Sequence, residues 1–252
     1  MTQITRVMIP LDSQADETFS YALSYAKAIA EKAKTNDVIL LTHTKSQLDG
    51  STGLSRMIGP GAAKALNKGQ TASLPWGASL RYETMKTLRY SARGAVIIAY
   101  YAEEKMLDFV DGLHDVGGVV AVPWVPGEAD GWAARWTAMV HGAKAAAPAP
   151  LIDDPVVVRA LEGLTSIINL STGLSHPRDK ERANEYLRIL RAKGHADPSS
   201  TIKSWAIRHG WSPRGAADLE TLARKIWSLK TKPSLSAFHE PAARYARWKT
   251  GS

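Results

Sequence analysis

The stretch Ala95–Tyr101, AVIIAYY, is apolar from end to end and reads as a β-strand buried on both faces. Three further runs share its character: Ile4–Leu11 (ITRVMIPL), Val38–Thr42 (VILLT) and Gly117–Trp124 (GGVVAVPW). Amphipathic helical patterns separate them. From Asp16, the residues Phe19, Ala22, Leu23, Ala26, Ile29 and Ala30 fall on one helical face. Asp16 is placed to cap that helix, and Lys32 and Lys34 suit the negative end of its dipole. A second helix is expected over Ala102–Leu113, with Met106, Phe109, Val110 and Leu113 on one side, and a third over Glu128–His141, carrying Trp132 and Trp136. Residues 43–93 are less regular. Gly50, Gly53, Gly59 and Gly61 mark a loop, followed by a short helix over Ala62–Lys68 and a longer one over Ala78–Ser91. Apolar strands alternating with amphipathic helices indicate a parallel sheet covered on both faces. The fold class expected is therefore α/β, a Rossmann-like domain over residues 1–142.

In such sheets ligands bind beyond the C-terminal strand ends. The residues falling there are Asp12, Ser13, Thr42, His43, Tyr100, Glu103 and Trp124. Asp12 is suited to accept from a ribose hydroxyl and His43 to act as a base or hydrogen-bonding group. The same residues also suit helix capping and sheet closure. Neither the G-x-x-x-x-G-K-[ST] phosphate loop nor a G-x-G-x-x-G after the first strand occurs. Gly59-Pro60-Gly61 precedes a short helix whose free amides suit an anion.

The opening RVMIPLDSQADETFSYALSYAKAIA, followed by DVILLTH, resembles the universal stress protein family. That resemblance implies a strand ending in Asp, an Ala-rich helix and an apolar strand. It also implies ATP as a ligand, held by the strand-end Asp and a later G-x2-G-x9-G-[ST] motif. Asp12 matches the first element. Gly50 and Gly53 have the initial spacing, but no Gly-Ser or Gly-Thr follows at the required distance.

Residues 143–150, mostly Ala and Pro, read as a semi-rigid linker. Beyond it, residues 151–252 look all-helical. Expected helices span Pro155–Leu170 and Pro177–Lys193, the second stopping at Gly194. A helix-turn-helix-like pair follows at 197–229, DPSSTIKSWAIRHGWSPRGAADLETLARKIWSL. Asp197-Pro198 and Ser212-Pro213 are start signals, and Gly210 is a stop. Ala206 supplies the small crossing residue, while Ile202, Trp205, Trp211, Ala216 and Leu219 are placed to lock the pair. His209 and Gly215 fit the pattern poorly: a larger apolar group is expected at the first, and glycine weakens a helix at the second.

Charge singles out this region. Residues 198–252 hold ten Lys+Arg against three Asp+Glu, while residues 1–150 hold fifteen against fourteen. A localised basic segment points to a polyanion. Nucleic acid, with DNA favoured, is the expected partner. The second helix of the pair would present Ser212, Arg214 and Thr221 to bases, with Arg214 matching guanine, and Lys203, Arg208, Arg224 and Lys225 would sit on phosphates. Asp218 and Glu220 oppose a polyanion. In the tail, Arg244, Arg247 and Lys249 interleave with Tyr245 and Trp248, a pattern suited either to a nucleic-acid backbone or to a docking helix; docking is the reading preferred. The run Ile202-x-x-Trp205-Ala206-x-x-x-Gly210, then Arg214-Gly215, resembles the C-terminal DNA-binding domain of actinobacterial nucleoid-silencing proteins. That family continues R-G-R into the minor groove; here Ala216 replaces the second arginine.

There is no cysteine, which excludes disulfides, thiolate metal sites and a cysteine nucleophile, and fits a reducing compartment. The histidines are scattered, and neither a metal nor a catalytic residue is expected. Residues 1–10 lack the pattern of a signal peptide, and the longest apolar runs fall short of the roughly 20 residues a membrane span needs. A cytoplasmic protein without a membrane partner is expected. Three functions are open: a nucleic-acid binder whose α/β domain assembles a homo-oligomer or senses a ligand; a nucleotide-binding or nucleotide-processing protein using Asp12, Ser13, Thr42 and His43, with ATP or another nucleotide as cofactor; and an interaction protein without a small ligand.

Overall fold

A computed structural model of the chain describes residues 4–50, 52–88, 92–145 and 147–251. Contacts divide it into two units, Met1–Pro148 and Ala149–Ser252, so the division falls inside the Ala/Pro segment. Ala146 of that segment lies outside the described residues, as do residues 89–91 at the end of the expected long helix.

In the first unit the strands are β1 (Thr5–Met8), β2 (Asp37–Thr42), β3 (Ala72–Ser73), β4 (Ser79–Thr84), β5 (Val96–Ala102), β6 (Gly118–Pro123) and β7 (Met139–Val140). They form one sheet in the order β3-β4-β2-β5-β6-β1-β7, parallel throughout except for the edge pair of β3 and β4. All seven residues of β5 and all six of β6 are buried. The pleat sends alternate residues to opposite faces. Val96, Ile98 and Tyr100 pack with Phe19, Ala22, Ala26 and Ile29 of α1 (Asp16–Ala33), and with Leu54 of α2 (Gly53–Ile58) and Leu66 of α3 (Pro60–Asn67). Ile97 and Ala99 pack with Met106 and Val110 of α4 (Glu104–Asp111) and Trp132 of α5 (Asp130–Trp136). The unit is a three-layer Rossmann-like α/β sandwich.

Three expected elements are corrected. Where a helix is expected over Ala78–Ser91, Ser79–Thr84 instead form strand β4, in which Leu80, Tyr82 and Thr84 alternate inward while Arg81 pairs with Asp37 at 3.1 Å and Glu83 at 3.1 Å. The helix over Glu128–His141 stops at Trp136, because Thr137 takes a left-handed conformation (φ 50°), and Met139–Val140 then add a strand beside β1. Asp16 is the first residue of α1 and does not cap it; the N-cap is Ala15.

The second unit is helical: α6 (Pro155–Thr165), a 3-10 turn (Gly173–Ser175), α7 (Pro177–Ala192), α8 (Ile202–Arg208), α9 (Pro213–Trp227) and α10 (Pro241–Thr250). Helix α8 is shorter than expected. The Asp197 carboxylate accepts from Ser199 N–H at 2.9 Å, turning the chain ahead of the helix, which begins after Thr201. His209 stacks on Trp205 with ring centroids 3.8 Å apart, and Gly210 (φ +88°) closes the turn. Ser212 caps α9 by accepting from Gly215 N–H. Gly215 has a packing reason. A Cβ there would lie 2.8 Å from Gly173 Cα, and a Cβ on Gly173 (φ +56°) would lie 2.4 Å from Gly215 Cα.

Helix α10 is docked within this unit. Trp248 is buried against Tyr186 (centroids 4.8 Å apart), and Arg159 donates to the carbonyls of Trp248 and Lys249. A polar clasp joins three elements: Asp154, which caps α6, meets His195 Nδ1 at 2.6 Å, and His195 Nε2 meets the Tyr245 hydroxyl at 3.1 Å. Burial pushes the Asp154 carboxyl up, but the His195 hydrogen bond and the amides of Val156 and Val157 outweigh it and hold its pKa below the ordinary range.

Two outcomes follow. Overpacking typically costs about 1–3 kcal/mol, more than the roughly 1 kcal/mol that alanine gains over glycine in a helix. Gly215→Ala is therefore destabilising in urea denaturation, where helix propensity alone gives the opposite sign. For Asp154, a folded-state pKa below the unfolded one stabilises fully above about pH 4 and is lost as pH falls through the folded value. Asp154→Asn is thus less stable than the parent at neutral pH, and the gap narrows as denaturation is repeated at decreasing pH below about 4.

Candidate functional site

Helix α9 has an inner face of Gly215, Ala216, Leu219, Ala223 and Ile226, all buried. The opposite positions Arg214, Asp218, Thr221 and Lys225 are exposed. Their spacings of four, three and four put them on one stripe along the helix. Beside that stripe run two adjoining grooves of about 320 and 340 Å³, which share Lys180, Leu222 and Lys225. Lys180 and Arg188 of α7 line one wall, Thr221 and Lys225 of α9 the other, and Leu222, Ile226 and Leu229 form an apolar floor. Glu181 and Asp218 also line the grooves, so the surface is basic with acidic interruptions.

The other residues expected to touch nucleic acid are dispersed. Ser212 spends its hydroxyl on capping α9. Arg224 is exposed and pairs with Glu220 at 2.6 Å. Lys203 and Arg208 lie on α8 five residues apart, roughly 140° around the helix from one another. Arg244 points inward, pairing with Glu185 at 2.5 Å over the Tyr186 ring, while Arg247 and Lys249 of α10 are exposed. Lys180 and Arg188, which the structure sets across from Lys225, lie on α7, outside the expected helix pair. Only the packing of α7 on α9 brings them to that groove.

At the strand ends of the first unit, Thr42 and Ser13 are buried and hydrogen-bonded internally: Thr42 Oγ1 to the Tyr82 hydroxyl at 2.7 Å, Ser13 Oγ to the Trp124 carbonyl at 3.5 Å. Asp12 is exposed, and its carboxylate accepts from Gln14 N–H at 2.9 Å. His43 Nε2 lies 3.2 Å from the Tyr101 carbonyl, and its Nδ1 lies 3.7 Å from Glu103. Tyr100 is fully buried and donates to the Ser13 carbonyl at 2.8 Å; burial raises its phenol pKa far above the usual value. Tyr101 bears the strain of this corner, with φ +60° at a register shift between β5 and β6, and its ring packs on the exposed Trp124. Burial raises the Tyr101 pKa as well.

A larger cleft, about 700 Å³, opens on the same unit between the 3-10 turn Lys45–Leu48 and α3, with Lys45, Lys64 and Lys68 on its walls. Among the described residues no group of three or more His, Cys, Asp or Glu is placed to hold a metal ion, and no helix is long and apolar enough to cross a membrane.

Residues 153–249, which span nearly all of the helical unit, match the family model of a domain of unknown function (DUF1889). No curated protein and no solved structure matches the chain.

Proposed function

We propose that this protein binds nucleic acid, DNA in preference, through the α7–α9 face of its helical unit. The observation that carries the reading is the exposed stripe Arg214–Thr221–Lys225 on α9, set beside Lys180 and Arg188 across the adjoining grooves. Four cations on one face suit a phosphate backbone, which supplies most of the affinity of such contacts. Arg214, on the first turn of α9, carries the planar fork that fits guanine O6 and N7. The floor of Leu222, Ile226 and Leu229 holds the two helices together under the cations. Asp218 repels phosphate from the middle of the stripe and so favours a register in which the backbone passes on either side of it. Arg244 takes no part, because Glu185 already neutralises it. The α/β unit serves assembly or ligand sensing in this reading.

Fluorescence anisotropy with a labelled duplex tests the proposal. Four phosphate contacts give a slope of log K against log salt of about −3.6, a loss of roughly hundredfold between about 50 and 200 mM. Lys225→Ala flattens that slope by about 1 and weakens all sequences alike, whereas Arg214→Ala narrows the spread among sequences by about 1–3 kcal/mol. Absence of salt-sensitive binding, or binding that neither variant changes, overturns it.

A further inference from the structure

We propose that the cleft between the Lys45–Leu48 turn and α3 binds a small, multiply phosphorylated compound through Lys45, Lys64 and Lys68. Its position comes from the fold. Strand β2 ends at Thr42, the turn begins three residues later, and the Tyr82 hydroxyl of β4 fastens the connection by donating to the Thr44 carbonyl at 2.9 Å. The cleft therefore opens at the C-terminal end of a parallel sheet, where α/β folds place ligands. At about 700 Å³ it lies in the small-ligand range of roughly 300–1,000 Å³.

Charge gives the ligand class. Lys64 and Lys68 stand one helical turn apart, a like-charge pair that costs a helix about 0.2–0.5 kcal/mol. Elsewhere such spacings carry opposite charges, as in Lys27–Glu31 and Glu220–Arg224. Lys45 adds a third cation from the facing wall, and among the described residues none of the three has an ion pair. The one carboxylate among the described residues of the cleft, Asp49, accepts from its neighbour's amide, Gly50 N–H, at 2.8 Å. Asn67 adds a polar group: its amide reaches the Leu48 carbonyl at 3.5 Å, while its carbonyl oxygen is buried without a partner. Among the described residues no aromatic ring lines the cleft, so recognition runs through phosphates, held by lysines as point charges, and not through a stacked base.

Isothermal titration of the full chain with inorganic tripolyphosphate at low salt tests this. A single saturable event is expected, weakened at least about tenfold by Lys64→Glu or Lys45→Glu. ATP binds within a few-fold of tripolyphosphate, because the nucleoside finds no platform. The isocharged control Lys105→Glu, on an exposed site of α4, leaves binding unchanged. No heat at millimolar tripolyphosphate, an equal loss in the Lys105 variant, or equal binding of citrate overturns the proposal. Failure here leaves the nucleic-acid reading untouched, since that reading rests on residues of the other unit.

Discussion

The helical unit depends on one backbone-to-backbone contact. Gly173 and Gly215 approach so closely that neither position has room for a side chain. This contact seats the first turn of α9 against the 3-10 turn, where Ser212 N–H also donates to the Leu170 carbonyl at 3.2 Å. With its start pinned, α9 can bury Ala216, Leu219, Ala223 and Ile226 and leave Arg214, Thr221 and Lys225 outward. The face proposed to meet nucleic acid is thus a consequence of two glycines that carry no functional group.

In the α/β unit the governing constraint is burial of the sheet on both sides. Parallel strands need crossover connections, and the helices of those crossovers must cover both faces. Strands β2, β5 and β6 obey it with almost unbroken apolar sequence. Ionisable groups inside the unit are paired where they occur: Arg135, nearly fully buried, meets Asp108 at 2.9 Å and Asp111 at 2.7 Å, while Trp132 and Trp136 donate to Asp111. Burial nonetheless holds the Asp111 pKa above the ordinary carboxylate range against those partners. Such a network fixes how α4 and α5 lie together more than it adds stability.

These two units differ in how much of them can be read from sequence. Central strands are legible because two-sided burial demands an uninterrupted apolar run. Strand β4 is not, because its outward positions carry Arg81 and Glu83, which pair with each other, and the further partner of Arg81, Asp37, lies more than forty residues earlier. The cap at Ser212 and the stop at Gly210 are local devices and legible as such. Gly215 looked like a defect because its reason, Gly173, lies forty-two residues away. The same holds for the sites. The α9 stripe follows from helical spacing, but Lys180 and Arg188 join it only through packing. Arg244 is removed from the candidate surface by Glu185, and the three lysines of the α3 cleft come together from elements some twenty residues apart. Sequence shows what one element presents; it does not show which element will face it.

In the proposed function, a single face of the helical unit, built from α7 and α9, meets nucleic acid. Backbone amide shift mapping on isotope-labelled protein during titration with a short duplex tests it most directly. Perturbations concentrated on Arg214–Lys225 and Lys180–Arg188, fading as salt is added, are the result predicted. Perturbations concentrated on Pro241–Thr250, or spread evenly over the surface, or absent, contradict it.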